Sequence, residues 1–257
     1  DLLASKEADF ATMWLSTAIE KRSQGLKLIN IAQIVQRSAL MLIAKKARGI
    51  TKPQDINGKK VGLWRAEFQL QPLAFLKKDN LNVRIIPQSY SVNLFLRDGV
   101  DVASAMWYNE YHTIINAGVD PDELTTFFFY EHGLNFPEDG IYTLEETYKK
   151  DPELVRAFVR ASVEGWLYSF KNPEEALDIV LKYMKIANVP ANRMHQKWML
   201  NRMKDLVVPK DGNGLAAWQL KESEFARVVN VLKENNFIKN VPDFRSFYVD
   251  CVNHVQK

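Results

Sequence analysis

The stretch DGVDVASAMWYNEYHTIINAG, residues 98–118, decides the fold. Asp98-Gly99 is a turn signal closing a preceding helix, residues 102–107 are an apolar run of strand length, residues 109–117 are helical, and Gly118 ends the helix. That is one βα unit. Working outward, the same alternation fills the first 150 residues, with strands expected at 8–12, 28–33, 40–45, 60–64, 83–87, 125–130 and 140–143 and helices at 15–23, 68–79 and 91–97. Such alternation predicts α/β architecture built on a mostly parallel sheet.

After residue 150 the pattern turns helical. Asp151-Pro152-Glu153 supplies an N-cap, a proline at the first helical position and an acidic first turn. Val155, Phe158, Val159, Val163, Trp166, Leu167 and Phe170 then recur at three- and four-residue steps and predict one buried face. Further helices are expected from Asn172-Pro173-Glu174 to about 184, over 191–207 and over 220–235, with a loop at 209–214. Trp166, Trp198, Met199 and Met203 read as core at that spacing. The polar stretch 45–53 and Pro137-Glu138-Asp139-Gly140 are the places where the chain is expected to cross between lobes.

Composition excludes several classes. A net charge of +3 over 257 residues, without runs of like charge, supplies no polyanion-binding surface, so nucleic acid is not expected as a partner. The longest apolar run, residues 39–44, is far short of the roughly 20 residues that span a bilayer. The single cysteine, Cys251, excludes an internal disulfide and a multi-cysteine metal site. No nucleophile elbow, phosphate-binding loop, dinucleotide fingerprint or zincin helix is present, and His112, His132, His195 and His254 are too scattered to predict metal ligation. Residues 1–6 lack the basic and apolar regions of a signal peptide, and residues 8–11 read as the middle of a repeating unit whose earlier strands are absent.

In α/β sheets ligands bind beyond the carboxyl ends of the strands. The residues there are Trp14, then Gln36 and Arg37, then Trp64, Arg65 and Glu67, then Trp107, Tyr108, Glu110 and Tyr111, and finally Glu131 and His132. Aromatic faces among neutral hydrogen-bonding groups and carboxylates suit a flat, amine-bearing ring. Each tryptophan could equally pack a lobe, Tyr111 a helix interior, and Glu131 a solvated turn.

Several passages in order resemble type II periplasmic binding proteins. Leu3-Ala4-Ser5-Lys6-Glu7-Ala8-Asp9-Phe10 is similar to their L-x-S-G-x-A-D-F passage. Ile50-Thr51-Lys52-Pro53-Gln54-Asp55-Ile56-Asn57-Gly58-Lys59-Lys60-Val61-Gly62 is similar to G-I-x-x-P-x-D-L-x-G-K-x-V-G, and Gly99-Val100-Asp101-Val102-Ala103 to G-x-V-D-A. Trp107-Tyr108-Asn109-Glu110-Tyr111 resembles the Y-N-E-Y of the branch that shares its fold with fungal hydroxymethylpyrimidine synthase and receptors for thiamine-pyrimidine precursors. Asn172-Pro173-Glu174-Glu175-Ala176 and His195-Gln196-Lys197-Trp198-Met199 extend the similarity along the chain.

That resemblance implies a two-lobed fold, each lobe a mixed sheet flanked by helices, with residues 1–46 and 140–257 as lobe I and 47–139 as lobe II, and with the family's opening strand, helix and strand missing. It implies a monomeric receptor of an ABC importer, periplasmic or extracellular and anchored as a lipoprotein, partnered by a permease and closing on a planar heteroaromatic. The ligand contacts would be Trp14, Gln36, Trp64, Glu67, Trp107, Tyr108, Glu110 and Glu131, with no metal and no cofactor. The fungal synthase uses a histidine, a lysine-bound pyridoxal phosphate and a cysteine-rich motif. Residues 10–21 hold no histidine and Cys251 stands alone, which favours a receptor over an enzyme. Open alternatives are a sulfonate, nitrate or taurine receptor, the sensing domain of a membrane receptor, and an enzyme of thiamine-precursor synthesis.

Overall fold

The computed structural model describes residues 2–208 and 218–252. Its chain forms two compact units: Asp1–Arg37, Phe136–Asp178 and Met203–Lys257 make the first, Ser38–Asn135 and Ile179–Arg202 the second. The expected loop at 209–214 lies outside the described residues.

In the first unit, β1 (Phe10–Trp14), β2 (Leu28–Gln33) and β8 (Asp139–Leu144) form a sheet of order β1-β8-β2, antiparallel throughout. Every residue of β2 is buried, so its sequence reads as a continuous run and loses the alternation of a half-exposed strand. Helix α1 (Leu15–Ser23) buries Leu15, Ala18 and Ile19. Helix α6 (Pro152–Lys171) begins as its sequence predicts, the Asp151 carboxylate accepting from the Leu154 amide at 2.9 Å with Pro152 behind it. Replacing Asp151 with alanine orphans that amide. The expected cost is about 1 kcal/mol, read as a shift of the urea midpoint with an unchanged slope.

The inner face of α6 is narrower than its periodicity suggests. Val155, Val159 and Val163 are buried, whereas Phe158 and Leu167 remain 39% and 46% exposed. Phe158 stacks flat on Phe10 of the edge strand β1, centroids 3.9 Å apart, so its ring is spent on a cleft wall and not on the core.

The second unit holds a mixed five-stranded sheet, β5 (Arg84–Pro87), β4 (Lys60–Leu63), β6 (Val102–Met106), β3 (Leu40–Lys45) and β7 (Leu124–Phe128) in that order. The parallel pairings are those of β4 with β5 and with β6; β3 runs antiparallel to β6 and β7. The mostly parallel sheet expected from the βα alternation is therefore corrected in both units. The cause is topological: β3 leads the chain into the second unit and β7 leads it out, just as β2 leaves the first and β8 re-enters it, so outgoing and returning strands pair head to tail. Met41, Ile43, Phe95, Val100, Ala105 and Ile114 form this unit's core, with α3 (Asn93–Leu96) and α4 (Glu110–Asn116) packed on it.

These pairings also place the division of the chain at 37/38 and 135/136, upstream of the 46/47 and 139/140 read from sequence: β3 belongs with β6 and β7. Residues 179–202 join the second unit as well, with the boundary falling inside α7 (Pro173–Ile186) and α8 (Arg193–Val207). The two crossing segments run side by side. Val35 N donates to Asp139 O and Glu138 N to Val35 O, while Ser38 N donates to the Asn135 side chain. No described helix is long and apolar enough to cross a membrane.

Candidate functional site

The first unit contains a cleft of about 300 Å³ walled by Phe10, Thr12, Ile141, Phe158, Trp166 and Asp139. Its position follows from the sheet. Phe10 and Thr12 come from the open edge strand β1, Asp139 opens β8 and is paired with Trp14 at the end of β1, and α6 lays Phe158 and Trp166 across them. The lining is mainly carbon, and within it the Asp139 carboxylate has no hydrogen-bond or ion-pair partner among the described residues. Burial pushes the Asp139 pKa up. A half-buried, uncompensated carboxylate between aromatic rings favours a ligand that brings a positive charge or N–H donors to it and a flat face to the rings.

Trp14 ends β1 and Gln36 follows β2, both half-buried and near in sequence to the cleft residues Thr12 and Val35; the Gln36 amide donates to Gln33 O and to Gln219 O at 3.3 Å.

In the second unit Trp64 is 5% exposed, its indole N–H donating to Ser89 O at 3.0 Å and its ring edge-on to Phe68. Glu67 sits half-buried in the short 3-10 turn Ala66–Gln69, and Glu131 is exposed in the turn Phe129–His132. Glu110, 6% exposed, closes the turn after β6: one carboxylate oxygen accepts from Met106 N at 2.9 Å, the other from Asn109 Nδ2 at 2.8 Å. Burial raises the Glu110 pKa in spite of these bonds.

Trp107 and Tyr108 keep half-exposed side chains at the end of β6. Trp107 belongs to an aromatic cluster with α8: Trp198 Nε1 donates to Trp107 O at 3.1 Å, and the Arg202 guanidinium lies 4.7 Å from the Trp107 ring and 4.8 Å from that of Trp198.

The structure thus leaves Trp107 and Tyr108 as half-exposed chain neighbours after β6, sets Trp64 and Glu110 to supporting their own turns, and reveals Asp139, Phe10, Phe158 and Trp166 as cleft walls that the strand-end reading did not select. Asp139 had a signal in the sequence, an acid inside the Pro137-Glu138-Asp139-Gly140 crossing. Its value depends on a helix twenty residues further on.

The fold is that of periplasmic binding proteins. The periplasmic aliphatic sulphonate binding protein SsuA from Escherichia coli superposes with a TM-score of 0.74, covering 96% of this chain and 77% of its own at 13% identity. A family model described as "NMT1/THI5 like" matches residues 1–176, and the chain belongs to that family. Among its relatives, the riboflavin-binding protein RibY of Chloroflexus aurantiacus is 26% identical over 187 residues, 70% of this chain and 52% of its own. The 4-amino-5-hydroxymethyl-2-methylpyrimidine phosphate synthase of Legionella pneumophila is 29% identical over 191 residues, 67% and 56% respectively. The chain spans about half the length of these curated relatives.

Proposed function

We propose that the chain is the solute-binding receptor of an ABC importer, acting in the periplasm or outside the cell, and that its ligand is a small planar heteroaromatic bearing an amine or a protonated ring nitrogen, of the thiamine-pyrimidine-precursor kind. The observation that carries this reading is the unpartnered Asp139 carboxylate in an aromatic cleft. An anionic sulfonate head group would meet that carboxylate with repulsion and find no cationic partner among the cleft's walls. A ring amine would donate to it while the ring packs on Phe158 or Trp166. Trp14 and Gln36 are its proposed further contacts in the first unit; within the second unit Glu67, Trp107, Tyr108 and Glu131 are proposed as ligand-binding residues in their own right, with Trp64 and Glu110 holding the turns after β4 and β6. Binding does its work by stabilising one conformation over another through contacts made better in the bound state, and a permease partner reads that state. The two relatives, one named for binding riboflavin and one for making a pyrimidine phosphate, support a heteroaromatic ligand.

The synthase name supports a second reading, an enzyme of precursor synthesis. Titration calorimetry separates these. 4-Amino-5-hydroxymethyl-2-methylpyrimidine or riboflavin is expected to bind with a Kd of about 1 μM or tighter, worth about −8 kcal/mol, and an alkylsulfonate not at all. Binding of the sulfonate alone would sink the ligand assignment, and release of a pyrimidine phosphate on incubation with pyridoxal phosphate would establish the enzyme.

A further inference from the structure

Two histidines that the proposed function does not use meet within the second unit. His112 projects from α4 and His195 from the first turn of α8, and their half-buried rings are hydrogen-bonded through the two Nδ1 atoms at 2.9 Å. The bond depends on the number of protons whatever tautomer each ring adopts. One Nδ1 must carry the hydrogen and the other must offer its lone pair, so the bond holds with both rings neutral or with one charged. Two imidazolium rings cannot make it, because every ring nitrogen is then a donor. The neighbours decide where the first charge fits. Asn109 Nδ2 donates to the buried Glu110 carboxylate, which leaves Asn109 Oδ1 to accept from His195 Nε2 at 2.9 Å, so a charged His195 has both its hydrogens placed. Asn116 Nδ2, 3.2 Å from His112 Nδ1, is also a donor and needs that nitrogen as an acceptor. A second charge, on His112, removes the acceptor and sets two cations against each other.

We infer that the pair is an acid-opened latch, which fastens the start of α8 to α4 while at least one ring is neutral and releases it when both are charged. Among the described residues, the charged and titratable groups on the elements packed here are Glu110 and Tyr111 on α4, Asp122 in the turn Pro121–Glu123, and Arg193, Lys197 and Arg202 on α8. Glu110 accepts from Met106 N and Asn109 Nδ2, Asp122 acts on the Tyr111 hydroxyl, and the Arg202 guanidinium lies on the Trp107 and Trp198 rings. Arg193 and Lys197 are exposed and, as cations, can only oppose a second positive charge. Burial, and after it the neighbouring His195, hold His112 below the ordinary imidazole value, and burial does the same for His195. The folded unit therefore binds these protons less tightly than the unfolded chain does. The stability that the latch contributes is present above the ordinary imidazole value of about 6.5 and is lost as pH falls through the folded values. Trp198 stacks on the His112 ring, centroids 4.7 Å apart, and donates to Trp107 O at 3.1 Å, so release of α8 reaches the strand end where Trp107 stands.

Hydrogen exchange over residues 193–202, read by mass spectrometry and corrected for the intrinsic rates, tests the latch, because a helix end set free frays. Between about pH 7.5 and about pH 5.5, where an imidazole in the unfolded chain becomes about nine-tenths charged, protection of this segment is expected to fall about tenfold. His112→Gln and His195→Gln each keep a hydrogen-bonding partner for the remaining ring and cannot themselves be charged. Both variants are expected to hold their protection across the same range. Equal wild-type protection at the two pH values overturns the proposal, and so does a loss in either variant as large as that of the wild type. Where a variant fails to fold, the wild-type imidazole resonances decide: both rings should titrate with His112 below the ordinary value, and His112 titrating at or above it would mean that the second charge costs nothing.

Discussion

Replacing Gly140 with alanine is expected to destabilise the first unit by about 2–4 kcal/mol, one of the largest effects of any single methyl group in this chain. A Cβ at Gly140 would stand 2.6 Å from Asn30 Nδ2, 2.9 Å from Gln33 Oε1 and 3.0 Å from the Tyr142 hydroxyl. None of these neighbours can swing away cheaply. Asn30, Gln33 and Tyr142 are fully buried, Asn30 donates to Gln33, and the Gln33 amide in turn donates to Val35 O at 3.1 Å and Glu138 O at 2.9 Å. The added methyl both overpacks the centre of the β1-β8-β2 sheet and breaks a buried polar network, each worth about 1–3 kcal/mol. Because Gln33 ties the outgoing crossing segment to the returning one, the damage extends to the connection as well as the sheet. Thermal unfolding followed by circular dichroism should show the midpoint falling by roughly 5–10 °C. A midpoint within a degree of the wild type would mean that the cluster is looser than its geometry states.

Replacing Asp139 with asparagine is expected to move stability and binding in opposite directions. The sign of the first follows from linkage. The folded-state pKa of Asp139 is raised by burial, so the folded protein holds this proton more tightly than the unfolded chain does, and stability is lost as pH rises from the ordinary aspartate value through the folded one. At neutral pH the charged carboxylate is therefore a burden, and the neutral amide removes it. Asp139→Asn should raise the melting midpoint near pH 7 and leave it little changed at low pH, where the carboxyl is already protonated. Binding goes the other way. A charge-assisted bond to a ring amine contributes about 1.5–3 kcal/mol, so the variant should bind an aminopyrimidine about 10- to 100-fold more weakly. Raised stability with unchanged affinity would place the ligand elsewhere.

Much of the fold is legible in the sequence, because its strands are locally determined. β2 and β3 are found to the residue, their apolar runs bounded by turns, and Asp151-Pro152 marks the start of α6 by a cap that depends on four consecutive residues. Strand direction is not local. Whether β3 runs with or against β6 depends on the chain leaving one unit and returning through β7 eighty residues later, and no periodicity records that. β1 begins two residues later than its apolar pattern suggests, at Phe10, where pairing with Thr143 starts.

Site residues divide in the same way. Strand-end position is local, so Trp107 and Tyr108 stand where expected. What a side chain does there is set by its partners: Ser89 takes the Trp64 indole and Met106 the Glu110 carboxylate, neither visible as a requirement in the sequence. Asp139 gains its character from Phe158 and Trp166 on α6, and the pairing of His112 with His195 joins residues 83 positions apart.

The most direct test is a crystal structure of the chain grown with 4-amino-5-hydroxymethyl-2-methylpyrimidine. The ligand-binding reading predicts flat density in the cleft beside Phe158 and Trp166, with the exocyclic amine within hydrogen-bond distance of the Asp139 carboxylate. A cleft without ligand density at saturating concentration, or density in which Asp139 touches nothing, would contradict it.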